Sequence, residues 1–230
     1  MIYKIVYGVY PYIALSVFLL GSLVRFDREQ YSWKADSSQL LDRKQLRLGS
    51  NLFHIGILAL FGGHAVGLLT PHAVFEAVGL SDMAHQSVAI VAGSLFGLIC
   101  MIGGVILWRR RMFNPRIRAT SRFMDILILD WILITLTLGL ITIPFSIYHA
   151  MHGDATVMVI LSSWVKSIVT LQPDPDVLRN VPFIYKLHMF FGMTVFFLFP
   201  FTRLVHIWSA PFGYLLRPYQ IVRSKYVQYR

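Results

Sequence analysis

The chain has 230 residues, 56% of them hydrophobic and only 14% charged, against about 25% charged in an ordinary soluble domain. A net charge of +10 on so apolar a chain marks the flanks of membrane spans rather than a surface for nucleic acid. The single cysteine, Cys100, excludes an internal disulfide and a thiolate-held iron–sulfur centre, and the lack of a C-x-x-C-H motif excludes covalent c-type haem attachment.

A bilayer core takes roughly 20 mostly apolar residues per helix, and the stretches at about 3–24, 51–70, 85–108, 124–147 and 183–207 qualify. The sequence therefore predicts an all-α integral membrane bundle of five transmembrane helices, one domain over 1–230. The first stretch reads as a retained helix rather than a signal peptide: Arg25 and Arg28 follow the apolar run, only Lys4 precedes it, and no small-residue cleavage site is visible. Loop 25–50 carries Arg25, Arg28, Lys34, Arg43, Lys44 and Arg47; loop 71–84 has no Lys or Arg. Loop 109–122 again holds six, including Arg109-Arg110-Arg111, loop 148–182 only Lys166 and Arg179, and the tail 208–230 carries Arg217, Arg223, Lys225 and Arg230. Basic charge thus alternates with each crossing, which puts the N-terminus outside and the C-terminus in the cytoplasm. Within 148–182 the segment VMVILSSWVKSIV is expected to form a short amphipathic helix before the turn-forming QPDPD.

Ionisable residues inside spans are costly and usually functional. The second stretch carries His54 and His64, and the fifth carries His188 and His206. These spans run in opposite directions, so the level-matched pairs are His54 with His206 and His64 with His188. At about 1.5 Å per residue the two intervals cover roughly 15 and 27 Å, which helix tilt can reconcile. Eighteen residues are five whole turns, so His188 and His206 are expected on one helix face, with a kink at Pro200 between them. Zinc sites usually need three or four protein ligands; a pair of imidazoles instead leaves the equatorial positions of an iron to a macrocycle, and haem b fits at each pair. Gly56, Gly62, Gly63, Gly67 and Gly192 would leave room for a flat ring, although glycine also serves close helix packing.

Several segments carry a family resemblance: SSQLLDRKQLRLGSNLFHIGILALFGGHAVGLLTPH, IGGVIL, RRRMFNPRIRAT, DILIL, GLITIPFS and GMTVFFLFPFTRLVHIWSAPFGYLLRPYQIVRS. Together they resemble the gamma subunit of the membrane-bound respiratory nitrate reductase over nearly the whole chain. The resemblance implies a dihaem cytochrome b of the bacterial inner membrane. It would oxidise quinol near the outer face, release the protons there and pass electrons to a cytoplasmic iron–sulfur beta subunit, and from there to a molybdenum alpha subunit that reduces nitrate. Carried onto this chain, it makes His64 and His188 ligands of the distal haem and His54 and His206 ligands of the proximal haem. It also places quinol beside the distal haem, near Gly63, Gly67 and the start of the third span. There this chain has His85 where a lysine is the commoner residue, and an imidazole can bond a quinol oxygen or take its proton.

Other residues admit two readings. Arg203, three residues before His206, would either pair with a haem propionate or anchor the cytoplasmic end; for Arg111 the anchor reading leads. Asp125 and Asp130 open the fourth span, where the helix dipole favours carboxylates and Arg122 could pair with Asp125; Asp130 would otherwise belong to a proton path. His72, His149 and His152 are expected in solvated outer loops, and Trp33, Trp208, Tyr3 and Tyr12 fit an interfacial belt at the lipid boundary. Two rival functions stand beside the main one: the same dihaem bundle serving a heterodisulfide-reductase-like partner, and a small transporter using the buried histidines as a proton relay.

Overall fold

A computed structural model of the chain describes residues 2–33 and 41–209; Lys34 and the tail from residue 210 lie outside the described residues. In chain order the helices are α1 (Ile2–Arg28), α2 (Arg43–Leu69), α3 (His72–Ala77), α4 (Asp82–Phe113), α5 (Pro115–Thr120), α6 (Phe123–Met151), α7 (Thr156–Val169) and α8 (Phe183–Leu198). Among the described residues five helices are long and apolar enough to cross a membrane: α1, α2, α4, α6 and α8 with its short extension to Phe201.

Local chemistry sets the helix ends. Asp42 caps α2 by accepting from the Gln45 amide at 3.3 Å, and Ser81 caps α4 by accepting from the Ala84 amide at 3.2 Å. Asn114 ends α4 and caps α5, where Pro115 takes the first turn that tolerates a missing N–H. Within α1, two π-helical stretches, Ile5–Val9 and Val17–Gly21, interrupt the α-helical ladder. Pro11 has no amide hydrogen to return to the preceding turn, and the Trp164 indole donates to the Tyr7 carbonyl at 3.0 Å. In hydrocarbon an unmet carbonyl costs several kcal/mol, so this side-chain substitute keeps a proline-bearing span viable. Tyr7 and Trp164 belong to a buried cluster with Ile168, Leu178, Val181 and Tyr185, which ties α7 and the following turn to α1 and α8.

The packing order is α2–α4–α6–α8–α1. The tightest contact is α2 on α4: a Cβ on Gly56 would lie 2.6 Å from the Cys100 amide nitrogen, and one on Gly103 would overlap the Phe53 amide nitrogen. Only glycine permits that approach. Gly56 is therefore a helix-contact residue, not clearance for a flat ring. Val88, Val91, Leu95, Leu98, Ile102 and Val105 form an exposed apolar stripe along α4, the pattern of a helix that faces lipid. The far sides of α2 and α8 meet through side chains, among them Phe61 with Phe196.

The fifth span departs from the expected single helix over 183–207. α8 ends at Leu198, a 3-10 turn spans Phe199–Phe201, Thr202 is extended, and a second 3-10 stretch runs over Arg203–Ser209. Pro200 cannot continue the ladder, and the freed carbonyls of Pro200 and Thr202 accept from Arg25 Nη1 at 2.7 and 2.8 Å. Arg25, read from sequence as a flank charge, thus holds the break in place from α1. His206 is consequently not on a regular helix with His188. The stretches expected as loops at 71–84 and 109–122 also contain helix, α3 and α5, and the amphipathic segment forms α7 as expected.

Candidate functional site

α2 and the chain from α8 onward present the four span histidines to one another in the expected pairs. The rings of His54 and His206 have centroids 6.2 Å apart, and those of His64 and His188 are also 6.2 Å apart. Two imidazoles bound through Nε2 on opposite sides of one metal, at roughly 2 Å per metal–nitrogen bond, place their centroids roughly 6 Å apart. The spacing fits a shared ion and is too wide for a direct hydrogen bond between the rings.

Each ring is oriented by a backbone carbonyl. His54 Nδ1 lies 2.7 Å from the Ser50 carbonyl and His64 Nδ1 2.7 Å from the Leu60 carbonyl, both one turn back on α2. His188 Nδ1 reaches the Thr135 carbonyl of α6 at 3.0 Å, and His206 Nδ1 the Arg203 carbonyl at 2.6 Å. A carbonyl only accepts, so Nδ1 carries the hydrogen on all four rings and the Nε2 lone pair remains for a metal, the usual outer-shell device of metal-bound histidine. Among the described residues no group of three or more His, Cys, Asp or Glu could hold an ion unaided. The pairs therefore suit an ion that brings its other donors with it.

A cavity of about 430 Å³ lies beside the His64–His188 pair, lined by those rings, by glycines and, at one end, by His85, Gln86 and Tyr185. A Cβ on Gly63, Gly93 or Gly192 would meet nothing within 4 Å, so these glycines leave a flat-walled space open. A Cβ on Gly139 would stand 2.9 Å from His188 Cε1; its absence lets the His188 ring pass α6 to reach Thr135. Gly93 and Gly139 were not singled out in the sequence, because nothing local marks them: their roles depend on partners on other helices. Gly67 brings His85 close, its Cβ position 3.3 Å from His85 Nε2, and the Phe75 ring packs at a tilt against that imidazole, with centroids 4.3 Å apart.

At the His54–His206 end, Arg111 Nη1 pairs with Asp125 Oδ2 at 3.4 Å, and Arg110 holds Asp42 through its carbonyl at 3.0 Å. Arg111 is thus an internal partner rather than only an anchor. Asp130 accepts from the Trp108 indole at 2.7 Å, so it is tied to α4. Two of the histidines expected in solvated outer loops also have carboxylate partners: His149 contacts Asp154 at 3.0 Å, and His72, which is exposed, lies between Asp82 at 2.6 Å and Glu76 at 3.3 Å. Hydrogen bonds from the Thr156 side chain and amide, with His149 beside them, hold Asp154 below the usual carboxylate range. Arg179, then Lys4, does the same for Asp176.

A helical bundle with five membrane-length helices and facing imidazole pairs between two of them has the arrangement of a membrane cytochrome b. The family model described as nitrate reductase gamma subunit matches residues 3–225. The chain is 52% identical over 221 residues to the respiratory nitrate reductase 1 gamma chain of Escherichia coli K12, covering 96% of each protein. It is 39% identical over 222 residues to the nitrate reductase gamma chain of Bacillus subtilis, covering 96% of this chain and 98% of that one. A more distant similarity, 27% over 176 residues, links 74% of the chain to half of the Hdr-like menaquinol oxidoreductase cytochrome b-like subunit of Archaeoglobus profundus. The chain belongs to the nitrate reductase gamma subunit family, a family of haem b cytochromes. This sets the transporter reading aside.

Proposed function

We propose that the chain is the membrane cytochrome b subunit of a respiratory nitrate reductase, a quinol:nitrate oxidoreductase of the bacterial inner membrane, working with alpha and beta partner subunits. The observation that carries the reading is the matched 6.2 Å spacing of two imidazole pairs whose Nδ1 atoms are all tied to carbonyls. His54 and His206 would hold the proximal haem b, with Arg203 near a propionate, and His64 and His188 the distal one. Bound there, haem iron supplies one-electron ferric–ferrous chemistry, which neither quinol nor any side chain at these positions offers.

The alternation of basic loops supports the N-terminus outside and the C-terminus in the cytoplasm. The Arg109–Arg111 end of α4 then faces the cytoplasmic partners, an iron–sulfur beta subunit and a molybdenum alpha subunit. The distal haem would fill the part of the cavity between His64 and His188, and the end lined by His85 and Gln86, with its few convergent polar groups, suits a quinol ring beside it. Gly63 gives that ring room against α2, Gly67 lets His85 come up to the same helix, and His85 faces the ring as hydrogen-bond partner and proton acceptor. Quinol protons leave outside while nitrate is reduced inside, so turnover moves charge across the membrane.

Stopped-flow reduction of the haems by a quinol analogue tests the site. His85→Ala is expected to retain both haems and to lose one bond to quinol worth about 1–3 kcal/mol, slowing reduction at least several-fold; His85→Lys recovers much of the rate. An unchanged rate in His85→Ala would move the site to other groups around His64 and Gly67.

A further inference from the structure

His85 borders two cavities. Beyond the large one, it also lines a smaller cavity of about 220 Å³ between the start of α4, α3 and α7, whose walls include His72, Asp82, Ser162, Ser163 and Lys166. The two spaces differ in chemistry: the first is walled mainly by apolar side chains and glycine, while the second adds titratable and hydroxyl groups to the apolar Phe75, Met158 and Val159. The second also connects to water. His72 Nε2 lies 2.6 Å from Asp82 Oδ1 and its Nδ1 3.3 Å from Glu76 Oε1, and the three side chains are 48%, 39% and 68% exposed. An imidazole that hydrogen-bonds one carboxylate through Nε2 and has a second beside Nδ1 can take a proton on one side and give it up on the other. At roughly 30 Å³ per molecule, the cavity has room for several waters to bridge from His85.

We propose that this smaller cavity is the proton exit of the quinol site, with His85 at its inner mouth and the Asp82–His72–Glu76 series carrying protons to the outer aqueous phase. The inference rests on the quinol reading above. As a quinol O–H bond breaks, its proton forms an N–H bond on His85 and its electron would pass to the haem iron that His64 and His188 would hold. His85 then releases the proton through the cavity to the Asp82 carboxylate. Protonated Asp82 donates it to His72 Nε2 while His72 gives up its Nδ1 hydrogen toward Glu76 and solvent, and exchange of the ring's tautomer through water resets it. Two such passes convert quinol to quinone with loss of two protons and two electrons. Lys166, the remaining charged group on the cavity wall, disfavours a second positive charge there and so favours onward release.

The alternative is that the His72–Asp82 contact only ties α3 to α4. Asp82→Asn separates the two, since an amide keeps a hydrogen bond to His72 but cannot carry a proton. In the intact complex, Asp82→Asn and His72→Gln are expected to slow haem reduction by a quinol analogue roughly tenfold or more, below the full contribution of a positioned acid–base group. Haem content and analogue affinity should be unchanged, the solvent deuterium isotope effect should rise, and millimolar imidazole in the medium should restore the rate. Loss of analogue affinity without rescue by imidazole would make the pair a structural tie and overturn the relay. If His85→Ala is slow while both relay variants run at the normal rate, the relay fails and the quinol reading stands. If all three are normal, both fail.

Discussion

Gly192 lies one turn beyond His188 on α8, lines the cavity of about 430 Å³, and would carry a Cβ that meets nothing within 4 Å. In Gly192→Leu the isobutyl group enters space that no protein atom occupies, so the usual overpacking cost of about 1–3 kcal/mol does not arise. Replacing glycine in a helix interior also gains up to about 1 kcal/mol of propensity. The polypeptide should therefore unfold no more readily than the parent. A macrocycle held by His64 and His188 would, however, have to share that space, and it is expected to be lost: haem falls from two per chain to one. Gly56→Leu is the contrasting variant, because its Cβ would lie 2.6 Å from backbone and side-chain atoms of Cys100 on α4. It should lower stability by at least the upper part of the overpacking range whether or not haem is bound. Pyridine haemochrome per chain, read beside thermal unfolding in detergent, distinguishes the two. The reasoning is refuted if Gly192→Leu keeps two haems with an unchanged spectrum, or if it destabilises the chain as Gly56→Leu does.

Trp164→Phe removes the donor that serves the Tyr7 carbonyl near Pro11; an unmet buried carbonyl costs about 1–3 kcal/mol. Pro11→Ala, which restores a backbone N–H to the same turn, should recover part of that loss in a double-mutant cycle of thermal stability. His54→Ala and His206→Ala should each lose the proximal haem and leave the distal haem optically intact, checked by reduced-minus-oxidised spectra. Asp154, held below the usual carboxylate range by Thr156 and His149, steadies the start of α7 at every pH above its ordinary value. That contribution is lost as pH falls through the depressed value; protection of the Thr156 amide, its exchange rate set against the intrinsic rate at the same pH, should fall over that acidic window in the parent chain and show no such step in Asp154→Asn.

The histidine pairing was legible because imidazole in hydrocarbon needs a reason, and antiparallel spans allow only one level-matched arrangement. The helices were legible by length, though the first four spans run past their apolar cores, α2 and α4 into capped ends at Asp42 and Ser81, while the fifth stops short of residue 207. The break after Leu198 was only half legible: Pro200 signalled a kink, but the carbonyls it frees are held by Arg25, 175 residues away in sequence. The glycines show the same limit. Gly56 looked like clearance for a ring and is a helix contact, while Gly139, which admits the His188 ring, carries no local mark. Arg111 was read by its place in a charge pattern and His149 by its place in an outer loop, and their partners, Asp125 on α6 and Asp154 beyond the end of α6, appear only once the chain is folded.

The most direct test of two bis-histidine centres is the haem-to-chain ratio of the purified subunit, measured by pyridine haemochrome against amino-acid analysis, with electron paramagnetic resonance of the oxidised protein on the same sample. Two haems b per chain, both low-spin, are expected. One haem or none, or a high-spin ferric signal showing that an imidazole is not bound, would contradict the assignment of His54, His64, His188 and His206.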